Sequence, residues 1–340
     1  MRKFSLILTL VLVLSLLCGC AGTTVVYQTN CTCPAGSHDV PATEAVPAVP
    51  ETIPADQIVS GAVKTGLAVV TGITVEEEKA SYDVTFVAVN VDDNGVITDC
   101  AIDSLGADVP VADVAGTNGD VKTKQELGYD YNMVTYGGAK YEWFEQANFL
   151  AEFAVGKTVE ELKAGAVGET GYAQDADLAT CATIYLGGYV SAIEKAVANA
   201  QHLGAMAGDE LKLASVNALS EGGLNCDAVA LTLKDGVITS CYLDSLQASL
   251  NVAEDGTVSA GNTLTKNELG YDYNMITYGG AKFEWFEQAQ GFAAYITGKT
   301  PAEVAGIAVD ESTKSTDADL TASCTIAIGG FQALIAKAAQ

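Results

Sequence analysis

Alternating apolar and polar positions predict a β-hairpin in each half of the chain. In residues 81–105 apolar side chains recur at every second position on both sides of Asn94-Gly95, a pair that suits a two-residue type I′ turn. Centring the turn there places Val87 opposite Ile102, which gives the hairpin one apolar face. The same pattern surrounds Asp235-Gly236 and predicts a second hairpin of the same kind.

Apolar side chains at helical spacing predict a middle helix after each hairpin. The spacing i, i+4, i+7, i+8 and i+11 runs through residues 139–154 and recurs in the second half, and Gly156 and Gly298 are natural C-terminal stops. A threonine N-cap with glutamate three positions later then predicts a short helix after Thr158 and after Thr300. We interpret the tryptophan of each middle helix as a core anchor. The apolar positions are Trp143, Ala147, Leu150, Ala151 and Ala154 in the first helix and Trp285, Ala289, Phe292, Ala293 and Ile296 in the second.

Each half is predicted to end in a strand that leads into a helix. Residues 183–186 and 325–328 are short, strand-like stretches that each begin with Thr-Ile. The helices that follow are expected over residues 188–200 and 330–339.

The two halves are copies of one unit at an offset of 141 or 142 residues. Between Thr123–Thr158 and Thr265–Thr300, 26 of 36 positions are identical. Such units are domain-sized, whereas the units of solenoid proteins span about 20–50 residues. We therefore predict two tandem domains, a first copy over residues 58–203 and a second copy over residues 204–340. Each is expected to have an α+β fold, with helices packed on an antiparallel sheet, and to fold alone with only a small contact to the other.

The beginning of the chain predicts export and attachment to a membrane. Two basic residues precede an uncharged apolar run that is long enough for a signal peptide and too short to span a membrane comfortably. The run ends in Leu17–Cys20, which resembles the lipobox of bacterial lipoproteins. This resemblance implies a signal peptide over residues 1–19 and lipidation of Cys20, which would hold the protein at the extracytoplasmic face of the cell membrane. An ordinary secretory signal is the alternative. Residues 20–57 are proline-rich and predict an extended tether.

Charge and composition narrow the classes of function. The chain carries 17 Lys and Arg against 43 Asp and Glu, a net charge of -26, and such an acidic surface repels the phosphate backbone of nucleic acids. Arg2 is the only arginine, and His38 and His202 are the only histidines. These residues provide no arginine clamp for a phosphate, no histidine-based metal cage and little scope for a histidine general base. We therefore predict no metal site and no independent catalysis.

The end of the first copy resembles the FMN-binding domain family. The signature of that family is Asp, two residues, Ser or Thr, Gly, Ala and Thr. Its last threonine carries FMN through a phosphoester that a separate transferase makes. The first copy matches at Asp177, Thr180, Ala182 and Thr183, with Cys181 at the glycine position.

The end of the second copy resembles the same signature at fewer positions. Asp319 and Thr325 match, and Ala322, Ser323 and Cys324 occupy the three positions before the last threonine. The family includes flavin-bearing subunits of ion-pumping quinone reductases and flavin lipoproteins of extracellular electron transfer. The resemblance therefore implies FMN as the cofactor, a flavin transferase and a redox partner as partners, and an electron carrier as the function.

Other residues of the two copies are candidates for contacts to such a cofactor. Both signature threonines lie a few residues before a helix N-terminus, where free N–H groups and the helix dipole favour a phosphate. The candidate aromatic walls for the flavin ring are Tyr129, Tyr131, Tyr271 and Tyr273, and the candidate phosphate contacts are Lys124 and Lys266. The alternatives are threonines in a strand, tyrosines in a core and lysines on the surface. Those alternatives fit a flavin-free surface lipoprotein that binds a protein partner or a small ligand.

The cysteines and the paired acidic residues have more than one interpretation. Outside the cell, disulfides are permitted, and buried free thiols are the equal alternative. The bridges considered are Cys100 with Cys181 and Cys241 with Cys324. Cys31-Thr32-Cys33 in the tether predicts a disulfide or free thiols rather than a metal site. We interpret the acidic pairs, Asp175 with Asp177 and Asp317 with Asp319, as turns rather than catalytic carboxylates.

Overall fold

The computed structural model describes residues 59–340 of the chain. The predicted signal peptide, the lipidated Cys20, the tether and Cys31-Thr32-Cys33 lie outside the described residues. Within the described range the fold is mixed α+β with antiparallel sheets, which confirms the predicted fold class. No helix in this part of the chain is both long enough and apolar enough to cross a membrane.

The first copy begins with a meander of long strands and continues with helices. Its three long strands pair in chain order and form one antiparallel sheet. The strands are β1 (Lys64–Val75), β2 (Lys79–Val91), β3 (Ile97–Pro110) and the short β4 (Gly119–Asp120). The helices are α1 (Lys124–Leu127), α2 (Met133–Gly137), α3 (Trp143–Ala154), α4 (Val159–Ala166), α5 (Ala176–Cys181) and α6 (Gly187–Ala198).

The second copy follows the same order of long strands and helices, with an additional two-stranded antiparallel sheet after its third long strand. Its three long strands pair in chain order, and β4 of the first copy adds to the edge of this sheet beside the first of them. The strands are β5 (Glu210–Ser220), β6 (Gly223–Lys234), β7 (Val237–Ala248), β8 (Leu250–Val252) and β9 (Val258–Ala260). The helices are α7 (Lys266–Leu269), α8 (Met275–Gly279), α9 (Trp285–Ile296), α10 (Pro301–Ala305), α11 (Ala318–Thr321) and α12 (Gly329–Ala338).

The register predicted for the first hairpin is confirmed, whereas a shift between Thr232 and Leu233 displaces the pairing of the second hairpin by one residue. Strand β2 pairs with β3 so that Val87 lies opposite Ile102.

One of the two turns also differs from the prediction. At Asn94-Gly95 only the glycine has a positive φ, 79°, because the carboxylate of Asp92 accepts hydrogen bonds from two N–H groups of the turn. This turn is therefore not type I′. At Asp235-Gly236 both residues have a positive φ, 51° and 79°, as type I′ requires.

The predicted middle helices and the short capped helices are confirmed. α3 and α9 bury Trp143 and Trp285, which are 2% and 4% exposed, so both tryptophans are core anchors. α3 begins four residues later than predicted, because Glu142 occupies the N-cap and forms a capping box. Thr158 and Thr300 cap α4 and α10 through the predicted contacts with glutamate.

The predicted strands at residues 183–186 and 325–328 are wrong. Both stretches are irregular apart from an isolated bridge between Ala327 and Lys314, and they lead into α6 and α12, which confirms the helices predicted there. The N–H groups of Thr183 and Ile184 donate to a side chain of α3 instead of a neighbouring strand. A β ladder therefore cannot form at this place.

The two sheets pack face to face and share one apolar core. In β2, Tyr82, Val84, Phe86 and Ala88 point toward the other sheet, while Val87 and its alternate neighbours pack on the helices. Each sheet therefore lies between the helices of its own copy and the sheet of the other. The expectation of a small contact between the copies is wrong, because both faces of each sheet are apolar. The residues of the shared core are Leu67, Val69, Tyr82, Val84, Phe86, Ala88, Leu105, Ala107, Val109, Leu224, Cys226, Ala228, Ala230, Leu246 and Ala248.

Two reciprocal ion pairs also join the copies. Lys195 of α6 lies 2.7 Å from Glu268 of α7, and Lys337 of α12 lies 2.6 Å from Glu126 of α1. The ammonium group of Lys195 also donates to the carbonyl oxygen of Val69 at 3.0 Å. Because these side chains are partly exposed, each pair contributes at most about 1 kcal/mol to stability. Through these pairs, the C-terminal ends of α6 and α12 each contact the other copy.

Candidate functional site

Thr183 lies in the loop between α5 and α6, and a buried glutamine of α3 holds this loop in place. The Oε1 atom of Gln146 accepts hydrogen bonds from the N–H of Thr183 at 2.7 Å, from the N–H of Ile184 at 3.1 Å and from Oγ1 of Thr183 at 3.2 Å. Gln146 is 0% exposed, and its Nε2 donates to the carbonyl oxygen of Tyr141 at 2.8 Å. Thr183 itself is exposed. The hydroxyl hydrogen of Thr183 points to Gln146. The lone pairs of the hydroxyl oxygen therefore point away from Gln146, where a reactant can approach.

The second copy repeats this arrangement. The Oε1 atom of Gln288 accepts from the N–H of Thr325 at 2.8 Å and from Oγ1 of Thr325 at 2.9 Å. Gln288 is also 0% exposed, and its Nε2 donates to the carbonyl oxygen of Phe283 at 2.9 Å. Thr325 is exposed, as Thr183 is. We call each set, Thr183 with Gln146 and Thr325 with Gln288, a threonine–glutamine pair.

Sequence reasoning singled out the threonines and missed the glutamines. Gln146 lies three residues after Trp143 and four before Leu150, so it occupies the buried face of α3. A polar residue on an apolar helical face, at the same place in both copies, is the signal that could have found it. A buried amide of this kind is stable only when its hydrogen bonds are made, which here fixes the loop.

Both threonines precede the start of a helix whose N-cap residue offers no side-chain acceptor. α6 follows Leu186 and α12 follows Ile328, and neither N-cap side chain accepts a hydrogen bond. The first N–H groups of each helix and the helix dipole are thus directed toward the end of the threonine loop. In the first copy the Nζ of Lys140 donates to the carbonyl oxygen of Thr180 at 3.0 Å, which adds a positive charge at the same loop.

The remaining signature residues lie in and after α5 and α11. Asp175 caps α5 and accepts from the N–H of Asp177 at 2.9 Å, and Asp317 caps α11 in the same way. The acidic pairs therefore belong to the N-termini of short helices and not to the predicted turns. Asp177 and Asp319 lie in the first helical turns, and the hydroxyl of Thr180 donates to the carbonyl oxygen of Asp177. Ala182 is buried beneath the loop.

The glycine position of the signature does not need a glycine in this backbone. Cys181 and Ser323 occupy that position, and neither has a positive φ. Side chains are therefore compatible with the local conformation, and no strain follows from the missing glycine.

The candidate tyrosines and lysines form a second repeated cluster near α3 and α9. The Nζ of Lys124 lies 5.5 Å from the ring centre of Tyr131 and 5.2 Å from that of Trp143. Lys266 makes the same two contacts in the second copy, and burial lowers the pKa of both lysines. The expectation of plain surface lysines is therefore wrong.

The tyrosines at the first candidate position are exposed rather than part of a core. Tyr129 is 70% exposed and packs edge-on against Phe144, with ring centres 5.2 Å apart. Tyr271 packs in the same way against Phe286, and it is 67% exposed. The alternative that placed these two tyrosines in a core is wrong. Tyr131 and Tyr273 are the more sheltered pair beside the lysines.

An aspartate accepts from the backbone beneath each lysine, and of the two, Asp244 is buried and Asp103 is partly buried. Oδ1 of Asp103 accepts from the N–H of Gln125 at 3.1 Å, and Oδ1 of Asp244 accepts from the N–H of Asn267 at 3.2 Å. Burial raises the pKa of each carboxyl to about 6. Both groups therefore titrate near neutral pH in the folded protein.

Replacement of Asp244 with asparagine is expected to change how stability depends on pH. Because the folded pKa is raised, the folded protein binds more protons than the unfolded chain between about pH 4 and pH 6. The free energy of unfolding therefore falls as pH rises through this window. Asp244→Asn removes this contribution, so the variant should gain on the order of 2 kcal/mol over the wild type between pH 4.5 and pH 7.5. Urea unfolding at several pH values measures the difference, and a constant difference would contradict the prediction.

The cysteines within residues 59–340 are free. The bridges considered from the sequence are not formed, and the interpretation as free thiols holds for Cys100, Cys181, Cys226, Cys241 and Cys324. Burial raises the pKa of most of them, to about 11 for Cys324, and so keeps these thiols protonated at neutral pH.

Comparisons of the chain with protein-family models, curated proteins and solved structures give no match. Within residues 59–340, no three His, Cys, Asp or Glu side chains are grouped so that they could hold a metal ion. The role proposed for the threonine–glutamine pairs is therefore based on the positions and hydrogen bonds of their own residues.

Proposed function

We propose that this protein is a membrane-anchored, extracytoplasmic lipoprotein whose two copies are FMN-binding-type domains, and that it carries electrons through FMN joined to Thr183 and Thr325. The observation that carries the proposal is the threonine–glutamine pair, which occurs in both copies. A transferase needs an acceptor hydroxyl that is exposed and lies on an ordered loop. The hydrogen bonds to the buried glutamine order the loop in each copy.

The residues around each threonine fit a flavin phosphate. The N–H groups of Gly188 and Tyr189 in α6, the first N–H groups of α12 and the ammonium group of Lys140 supply the positive potential that an arginine-poor chain otherwise lacks. Tyr131 and Tyr273 supply partly exposed aromatic rings in each copy. Bound FMN would supply the redox chemistry, and the chain would hold and orient it.

A flavin-free lipoprotein that binds a protein partner or a small ligand is the second candidate. The observation that favours it is the exposure of Tyr136 and Tyr278, which are 86% and 87% exposed and belong to the most similar segment of the two copies. Exposed aromatic side chains of this kind are common at binding surfaces.

Co-expression with a flavin transferase tests the proposal. We expect a fluorescent band on a denaturing gel and a mass increase in the intact protein, because a phosphoester survives denaturation and a non-covalent complex does not. Thr183→Val and Thr325→Val should each remove one label, and the first copy should label better because it departs from the signature at one position only. Thr135→Val, at an exposed threonine outside the signature, is the control. If the wild type neither labels nor binds FMN in a titration, the flavin-free candidate remains.

The anchoring part of the proposal depends on Leu17–Cys20. Cys20→Ala removes the thiol that would carry the acyl chains, so we expect the variant to leave the membrane fraction or to remain unprocessed. Fractionation followed by mass analysis of the N-terminus measures both outcomes. A variant that matures normally and stays with the membrane contradicts the lipobox interpretation.

A further inference from the structure

A pocket of about 260 Å³ lies between the segment that joins the two copies and the second copy. Its walls come from residues 201–204 of the joining segment and from β7, α7 and α9 of the second copy. Because a cavity of about 150 Å³ is enough for benzene, this pocket has room for two fused rings. It shares no residue with either threonine–glutamine pair, so it is independent of the proposed flavin function.

The lining of the pocket is partly apolar and partly polar, and its polar side chains are neutral. Leu243 of β7 and Ala289 and Ala293 of α9 are buried and give an apolar wall. The lining contains no Asp, Glu, Lys or Arg, so an ionic ligand would find no opposite charge there. Such a lining suits a neutral molecule with an apolar ring and a polar edge. The amide and hydroxyl side chains of the lining are Gln201, Tyr242, Asn267, Gln290 and Thr297.

In the first copy, the two amides at the corresponding positions bond to each other. Nε2 of Gln125 on α1 donates to Oδ1 of Asn148 on α3 at 2.9 Å, and also to the carbonyl oxygen of Ile102 at 3.0 Å. The offset of 142 residues places Asn267 at the position of Gln125 and Gln290 at that of Asn148. A direct amide–amide bond therefore joins α1 to α3.

In the second copy this amide–amide bond is not made. Nδ2 of Asn267 donates to the carbonyl oxygen of Leu243 at 2.8 Å, as Gln125 does to Ile102. Within residues 59–340, however, Oδ1 of Asn267 and the amide of Gln290 have no hydrogen-bond partner, although both side chains line the pocket. Gln290 is exposed, and Oδ1 of Asn267 is not among the inaccessible polar atoms. A ligand in the pocket can therefore reach both amides.

We infer that this pocket binds a neutral, planar cyclic amide whose –CO–NH– edge joins Asn267 to Gln290. The N–H of the ligand donates to Oδ1 of Asn267, and its carbonyl oxygen accepts from Nε2 of Gln290. The ligand thus takes the place of the direct amide–amide bond of the first copy. Its ring packs on the apolar side chains that β7 and α9 contribute.

The compounds 2-quinolinone and coumarin form a matched pair of probes for this inference. Both are planar, neutral and made of two fused rings, and they differ only in that a ring oxygen of coumarin replaces the N–H of 2-quinolinone. Calorimetric titration of the full chain should show that 2-quinolinone binds about tenfold more tightly, which corresponds to one net hydrogen bond. Equal affinities, or no binding of 2-quinolinone, would overturn the inference.

Variants of the two amides locate the binding. Gln290→Leu removes one amide at an exposed position and should weaken binding of 2-quinolinone about tenfold. Gln174→Leu makes the same change at an exposed glutamine outside the pocket and should leave the affinity unchanged. The double variant Asn267→Gln with Gln290→Asn restores the residues of the first copy, so the amides should bond to each other and exclude the probe. Unchanged affinity in both Gln290→Leu and the double variant would contradict the inference.

Discussion

Replacement of Phe86 with alanine is expected to destabilise both copies together, although Phe86 belongs to the first copy. Phe86 is 0% exposed and lies in the core that the two sheets share. Its truncation should lower the free energy of unfolding by about 3–5 kcal/mol, because it removes buried apolar area and leaves a cavity. Since the cavity borders the second sheet, that sheet loses contacts as well.

The two tryptophans make this result measurable in each copy separately. Trp143→Phe leaves a single tryptophan in the second copy, and Trp285→Phe leaves one in the first. In both backgrounds, Phe86→Ala should shift the fluorescence transition in urea by the same amount. Tyr136→Ala, at a position that is 86% exposed, is the control and should shift neither transition. A shift seen with Trp143 alone would show two domains that unfold independently.

Replacement of Gln288 with leucine is expected to cost about 3 kcal/mol of stability and to prevent flavin labelling at Thr325. Leucine fills a similar volume, but it leaves the N–H of Thr325 and the carbonyl oxygen of Phe283 without partners. Each unsatisfied buried group costs about 1–3 kcal/mol. The loop then loses the contact that fixes its hydroxyl oxygen, so the transferase should no longer find its acceptor.

Gln290 provides a matched control on the same helix, because it is exposed two residues further along α9. Gln290→Leu should leave both the unfolding midpoint and the labelling of Thr325 unchanged. Gln146→Leu should reproduce the result in the first copy and spare labelling of the second. Full stability and full labelling in Gln288→Leu would mean that the threonine–glutamine pair does not position the site.

Local patterns explain why much of the fold could be predicted from the sequence. The register of Val87 with Ile102 follows from a turn and from alternation close along the chain, and α3 follows from the spacing after Trp143. Sheet-on-sheet packing is different, because it depends on the second face of each strand. The nearly continuous apolar run of β2 from Val84 to Val91 is typical of a strand buried on both faces, and it was the available signal.

The candidate site was predictable only in part, for a related reason. The Thr-Ile stretch at Thr183 has the composition of a strand, and its actual hydrogen bonds go to Gln146, which lies 37 residues away in the chain. A contact between residues so far apart in the chain produces no periodic pattern in the sequence near the threonine. The partial burial of Lys124 has the same origin, since Tyr131 and Trp143 enclose it from two later elements.

The reciprocal pairs of Lys195 with Glu268 and Lys337 with Glu126 have a consequence for assembly. The lysine of each copy pairs with the glutamate of the other copy. This is the geometry of an isologous homodimer, built here within one polypeptide. A chain with one such unit would expose the apolar face of its sheet and would need a second molecule to cover it. With both units in one polypeptide, the partner is always present, so the association does not depend on protein concentration and survives dilution.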